Sequence, residues 1–133
     1  MEGGEMLFLV NRNEEEEANV NYTILNRDEL QRDGNTYEFE GYQHGDTNLS
    51  FIWVNMPPGD GVRLHKHTYQ EVFIIQEGLV TFTIGSTTLE VQAGHIVIVP
   101  PGLPHKFINS GERDLVQIDI HQSPQIITQW LED

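Results

Sequence analysis

Three imidazoles and one carboxylate in this chain stand at separations that β-structure can gather around a single metal ion: His65, His67, Glu71 and His105. Imidazole nitrogen and carboxylate oxygen are the usual protein ligands for a divalent transition ion. In a strand, side chains at i and i+2 share a face, so His65 and His67 project together. Glu71 lies four residues past His67, across Thr68, Tyr69 and Gln70, and reaches the same point if the chain bends there. His105 follows Pro100-Pro101-Gly102-Leu103-Pro104, too rich in proline to be strand or helix. A turn of that kind sets the angle of the next strand and aims His105 back at the pair.

The elements that must hold these groups are short strands. Met6–Val10 and Asn19–Leu25 read as strands with a polar stretch between them, and Tyr37–Gly41 alternates. Leu49–Met56 is apolar on both faces, as in a strand covered twice. Pro57 to Gly61 turns the chain, and Glu71–Gln76, Leu79–Ile84, Thr87–Val91, Ile96–Val99, Lys106–Ile108 and Leu115–Ile120 follow as strands. A turn every eight to twelve residues or so points to an all-β sandwich or small antiparallel barrel. The one helix signal is terminal. Ser123 suits a cap, Pro124 the first helical position, and Ile126, Ile127, Trp130 and Leu131 share one helical face.

Composition narrows the class. The chain has 133 residues, which suits one domain and one core. It has no cysteine, so disulfide and thiolate chemistry are excluded and a metal site must rest on His and carboxylate. Seven basic against 21 acidic residues leave a net charge of −14, which opposes binding to nucleic acid or an anionic membrane. The acidic run Glu14–Glu17 reads as a solvated loop. The only early apolar stretch, Met6–Val10, follows Glu2 and Glu5 rather than a basic region, so neither a secretory nor a membrane segment is expected. A cytoplasmic location is the expectation.

Two stretches carry a resemblance. Gly59, five residues, His65-x-His67, three residues, Glu71, six residues and Gly78 resemble the first motif of the cupin superfamily. Gly94, five residues, Pro100-x-Gly102, two residues, His105, three residues and Asn109 resemble the second. The 15 residues between Gly78 and Gly94 are similar to the short spacing of compact single-domain cupins. His95 departs from the pattern, since cupins of this kind often carry Asp there. The resemblance implies a double-stranded β-helix, or jelly-roll, barrel over residues 36–122, with N-terminal strands and an acidic loop in 1–35 and a short C-terminal helix in 123–133. It also implies a three-His, one-Glu site for one divalent ion: Mn, Fe, Ni, Co, Cu or Zn, a choice such ligands do not make.

Other residues have two readings each. Gly59, Gly78, Gly94 and Gly102 are backbone devices for turns of positive φ, and Asn109 bonds local backbone. His44 and His95 are read as exposed. Gln117, Asp119 and His121 share one face of the last long strand; alternation gives two faces without naming the inner one. If they face inward, Asp119 or His121 can orient a ligand or act as general base. Tyr69 is read as a surface residue, with presentation of its hydroxyl to a substrate as the alternative. Phe73, Ile75, Phe82, Ile84 and Phe107 wall the cavity or simply pack the core.

For function, the leading reading is a small metalloenzyme acting on a small, partly hydrophobic organic substrate. The resemblance implies dioxygenases of the quercetinase type first, isomerases or lyases second. Glu71, Asp119, His121 and Tyr69 are the candidate catalytic groups. The alternative is a noncatalytic small-molecule binding or sensor protein. The apolar surface left over beyond one small barrel predicts a homodimer.

Overall fold

Short segments rich in β-branched and aromatic residues, punctuated by glycine, form eleven strands among residues 21–133, the part of the chain that the computed structural model describes. They are β1 (Gln31–Asp33), β2 (Thr36–Glu40), β3 (Ser50–Met56), β4 (Gly61–Lys66), β5 (Glu71–Glu77) and β6 (Leu79–Ile84). β7 (Thr87–Gln92), β8 (Ile96–Val99), β9 (His105–Asn109), β10 (Leu115–His121) and β11 (Gln129–Trp130) complete the set. Two sheets result, in the order β1-β2-β3-β10-β5-β8 and β11-β4-β9-β6-β7, and every pairing is antiparallel. This is the expected all-β jelly roll. The only helical pieces among the described residues are 3₁₀ turns at Arg27–Glu29 and Gly41–Gln43, and none is long and apolar enough to cross a membrane.

The sheets close over one core. Phe73, Ile75, Val80, Phe82, Val99 and Leu115 are fully buried in it, and Phe73 meets Phe82 edge-on with centroids 4.9 Å apart. Each such side chain contributes about 1.5–3 kcal/mol by leaving water. The core runs up to the histidines, Phe73 meeting His105 edge-on at 5.9 Å, but Phe73, Ile75 and Phe82 pack inside it and do not line the cavity.

The four motif glycines take positive φ, between 79° and 98°. At Gly78 the backbone of Asp114 and Leu115 also crowds the position where a Cβ would stand, so both conformation and space require glycine there. Asn109 ties the strand end: its amide donates to the Met56 and Arg113 carbonyls, and its oxygen accepts from Gly111 N–H.

The terminus departs from expectation. Residues 123–133 form no helix; Gln129 and Trp130 pair instead with Lys66 and His65 as an extra edge strand. A helix this short is marginal alone, whereas the free edge of β4 offers a row of backbone partners. Ser123 closes a local turn with Gln125 rather than capping. The strand expected at 19–25 is also absent in its described part, residues 21–25, which are irregular, while Met6–Val10 and Glu14–Glu17 lie outside the described residues. The alternating Tyr37–Gly41 segment is β2 and the strand parity of His65 belongs to β4, whereas β1 is a further strand that the local pattern did not show.

Candidate metal centre

Two cross-strand pairs face each other across the barrel. In the smaller sheet His65 of β4 sits opposite His105 of β9; in the larger sheet Glu71 of β5 sits opposite His121 of β10. His67 follows the end of β4 and shares the face of His65, as i and i+2 must. The proline segment does position His105: Gly102 N–H donates to the His67 carbonyl at 2.8 Å, and β9 begins at His105 itself. All five side chains are buried. Ligand atoms of His65, His67, Glu71 and His105 lie within 4.8 Å of one another.

Hydrogen bonds on the outer nitrogens decide what the inner ones can do. Nδ1 of His65, His67 and His105 donates to the carbonyls of Arg63 (2.7 Å), Ile127 (2.8 Å) and Leu103 (2.9 Å). A carbonyl only accepts, so each Nδ1 carries a proton and Nε2 is the nitrogen each ring turns inward, His105 Nε2 meeting Glu71 Oε1 at 2.9 Å. His67 Nε2 is buried without a hydrogen-bond partner, although Glu71 Oε1 stands 3.1 Å away out of line. Inward nitrogens crowded on one carboxylate oxygen, one of them buried without a hydrogen bond, are the arrangement a bound cation would complete. The residues fit a divalent transition ion held by three imidazoles and a carboxylate.

His121 is tied differently. Its Nδ1 meets the Tyr69 hydroxyl at 2.7 Å, and its Nε2 lies 3.1 Å from Glu71 Oε2. Tyr69 also accepts from Ile127 N–H at 3.1 Å. The single phenol proton goes to its closest acceptor, His121 Nδ1, which leaves the imidazole proton on Nε2, toward Glu71. His121 therefore braces the ligand carboxylate rather than adding a lone pair to the set.

Electrostatics agree. Burial pushes His65 down to about 4, against the Arg63 carbonyl, with His105 and His67 adding to the fall. Burial also opposes the charged form of His67, but the Glu71 carboxylate and the Ile127 carbonyl outweigh it and raise the group. Burial alone would raise Glu71; His105, His121 and His67 together hold it well below the usual carboxylate range. Asp119 goes the other way: burial first, then the Glu71 charge, raise it well above its ordinary value, with Gln117 opposing. Burial lifts the Tyr69 phenol to about 12, so it stays a proton donor.

A cavity of about 330 Å³ opens beside these groups. His65, His67, Glu71, Asp119 and His121 line it on one side, and Ile52, Val54, Met56, Val62, Phe107 and Trp130 on the other. Of the aromatic and aliphatic walls expected from sequence, only Phe107 is among the lining residues.

Residues 52–121, over half of the chain, match the family model described as the cupin domain. The chain belongs to the cupin family. This cupin is 39% identical over 57 residues to an uncharacterized protein of Methanocaldococcus jannaschii, covering 42% of the chain and 46% of that protein. It is 30% identical over 77 residues to the H2HPP isomerase of Bacillus subtilis, covering 57% of the chain and 32% of that enzyme. The chain thus spans less than half the length of these two relatives. An uncharacterized Streptomyces coelicolor protein is 34% identical over 78 residues, covering 59% of the chain and 73% of that protein. Among solved structures, oxalate decarboxylase from Bacillus subtilis superposes with a TM-score of 0.66 at 22% identity, over 72% of this cupin and 27% of that chain. A Klebsiella pneumoniae protein with a double-stranded β-helix domain gives 0.65 at 22% identity, over 85% of this cupin and all of that chain. These likenesses show the fold.

The inner face of β10 is now named: Gln117, Asp119 and His121 are buried inward, and Gln117 Nε2 donates to Asp119 Oδ1 at 2.9 Å. Tyr69 is half-buried, with its hydroxyl between His121 Nδ1 and Ile127 N–H. His95 is exposed as expected; His44 is half-buried, stacked on Phe39 with centroids 4.7 Å apart. Sequence reasoning missed Ile127, whose carbonyl orients His67, and Trp130, whose ring lies 5.3 Å from that of His65. Both belong to the terminal segment that was read as a helix, so no local signal pointed them here.

Proposed function

We propose that this cupin is a metal-dependent enzyme acting on a small, partly hydrophobic organic molecule, either as a dioxygenase of the quercetinase type or as an isomerase or lyase. The observation that carries this reading is the set of three inward Nε2 atoms converging on Glu71 beside a cavity of about 330 Å³. A divalent transition ion held there supplies a Lewis acid that polarises a carbonyl or enol oxygen. The chain's own residues do the rest. Three main-chain carbonyls fix the imidazoles, His121 braces Glu71, and the apolar wall excludes water from the substrate's body. Asp119 in the next row, whose carboxyl burial and the Glu71 charge raise above its ordinary value, is the group available to hold or give a proton at its carboxyl oxygen.

The relative named H2HPP isomerase supports the isomerase side, and the oxalate decarboxylase neighbours support metal chemistry on this fold. The test is turnover by the metal-loaded full chain on a panel of flavonols and other enols, with and without air. Oxygen uptake selects the dioxygenase, and substrate consumption without it selects the isomerase or lyase. Tight metal with saturable binding and no turnover sinks the catalytic reading and favours a binding or sensor protein.

We also propose a homodimer. Its support is the outer face of the larger sheet, where Ile96 and Ile98 are 64% and 60% exposed beside half-buried Val72, Ile74, Ile118 and Ile120.

A further inference from the structure

Residues 122–133 run beside the metal centre as a strap fastened at both ends. At its root, Gln122 N–H donates to the Gln70 carbonyl, Tyr42 N–H to the Pro124 carbonyl and Ile126 N–H to Glu40 Oε2. Its far end is clasped at the edge of β4. Leu131 N–H donates to the Leu64 carbonyl at 2.9 Å, and Leu64 N–H donates back to Glu132 Oε1 at 2.9 Å. Arg63 Nε donates to the Glu132 carbonyl at 3.0 Å, and its guanidinium lies 4.1 Å over the Trp130 ring.

Between these ends the strap serves the ligands. The Ile127 carbonyl accepts from His67 Nδ1, and Ile127 N–H donates to the Tyr69 hydroxyl, which holds His121 against Glu71. One residue thus steadies two of the ligands, His67 directly and Glu71 through two side chains. The strap is also a partition. Ile126, Thr128 and Trp130 line the metal cavity, while Ile127 and Gln129 line a second cavity of about 320 Å³ with Lys66 and Gly102. His67 lines both.

This element has little holding it. From Gln122 to Asp133 no residue is fully buried, and only Ser123, Ile126 and Thr128 are half-buried. Its pairing with β4 covers two residues. A segment with few buried apolar contacts and solvent-exposed hydrogen bonds opens well before the sheets do. Once it opens, His67 loses the acceptor that keeps its proton on Nδ1 and turns Nε2 inward. Conversely, an ion on Nε2 confines the proton to Nδ1 and secures the bond to Ile127. Each event favours the other, and by linkage the two factors are equal.

We propose that residues 126–132 are a latch on the metal centre: the docked strap and the bound ion stabilise one another, opening joins the two cavities, and Glu132 is the clasp. The proposal rests on the metal centre but not on turnover. Glu132 is a positioning residue, acting on His67 through the strap.

The test is amide hydrogen exchange of the full chain near pH 7, metal-free and Zn(II)-loaded, with Zn(II) affinity read by chelator competition. Without metal, the Ile127 and Leu131 amides are expected to exchange at least about 100-fold faster than those of central β10. Zn(II) should slow the strap by at least about fivefold and leave β7, the opposite edge of the same sheet, within about twofold. Glu132→Ala should speed strap exchange about fivefold, and Glu132→Gln, which keeps an acceptor for Leu64 N–H, should restore it. Leu131→Pro with Glu132→Ala removes two clasp bonds and should weaken Zn(II) binding by at least about threefold. Zn(II) that binds without slowing the strap, strap amides as protected as β10, Glu132→Gln as fast as Glu132→Ala, or unchanged affinity in the double variant overturns the proposal. Failure to bind Zn(II) removes the metal centre and the latch with it. A metal-coupled strap on a protein without turnover refutes the catalytic reading alone.

Discussion

The two faces of the larger sheet differ in what they leave to be covered. Its inner face joins the packed core of Phe73, Ile75, Val99 and Leu115 to a polar end with Glu38, Ser50, Glu71, Gln117, Asp119 and His121, while the alternate positions on the same strands place Trp53, Val72, Ile74, Ile96, Ile98 and Ile118 outside. Burying that many polar groups is unfavourable unless each finds a partner or a ligand. The inner face meets this condition in part, through the Tyr69–His121–Glu71 contacts and the Gln117–Asp119 bond. What remains unpaired, His67 Nε2 above all, marks where an ion belongs. The outer face has the opposite problem: it has apolar surface to cover. The sheet is therefore a wall with a site on one side and a docking surface on the other.

Four tests break or sharpen this contrast, the largest effect first. Phe73 continues the inner row into the packed core, and Phe73→Ala should cost about 3–5 kcal/mol in denaturant unfolding. A loss below about 1 kcal/mol would show that the two ends of the inner face are not different in kind. Next, His121→Ala should weaken metal binding by about 10- to 100-fold in a chelator competition, and Tyr69→Phe by less, because these residues act through Glu71. Unchanged affinity in both would remove the bracing role.

The third concerns acid. His65 is pushed from 6.5 down to about 4 in the folded protein, so folding favours its neutral form. The stability this gives is complete above the unfolded value and is lost as pH falls from 6.5 toward 4. Metal-free wild type should therefore lose stability relative to His65→Gln across that window, read as the difference between two thermal-melt series. Parallel curves would mean that His65 is not held neutral. The smallest effect on the site is expected outside it. Ile98→Asp should shift sedimentation from dimer toward monomer while leaving metal affinity within about twofold, as for a surface change remote from the ligands. A monomeric wild type at micromolar concentration would end the docking reading.

Much of this was legible before any coordinates. The His-x-His pair, Glu71 and His105 follow from strand parity and motif spacing, and the jelly roll follows from short strands between turn residues. Two things were not. Alternation in Leu115–Ile120 separated polar from apolar faces but could not say which was inside, and here ordinary burial preference would have chosen wrongly. The terminal segment read as helical because Ser123-Pro124 and the spacing of Ile126, Ile127, Trp130 and Leu131 fit a helix. The unpaired edge of β4, a tertiary fact, overrode that local preference. With it came the Ile127 carbonyl and the Trp130 ring, two parts of the site that no nearby motif announces.

The most direct measurement is a Co(II) titration of the metal-free chain followed by d–d absorption, with elemental analysis after dialysis. We predict saturation at one ion per chain, retention through dialysis, and a loss of affinity of at least about 100-fold in His105→Ala. Binding that fails to saturate at one equivalent, or that survives unchanged in His105→Ala, would contradict a centre built from His65, His67, Glu71 and His105.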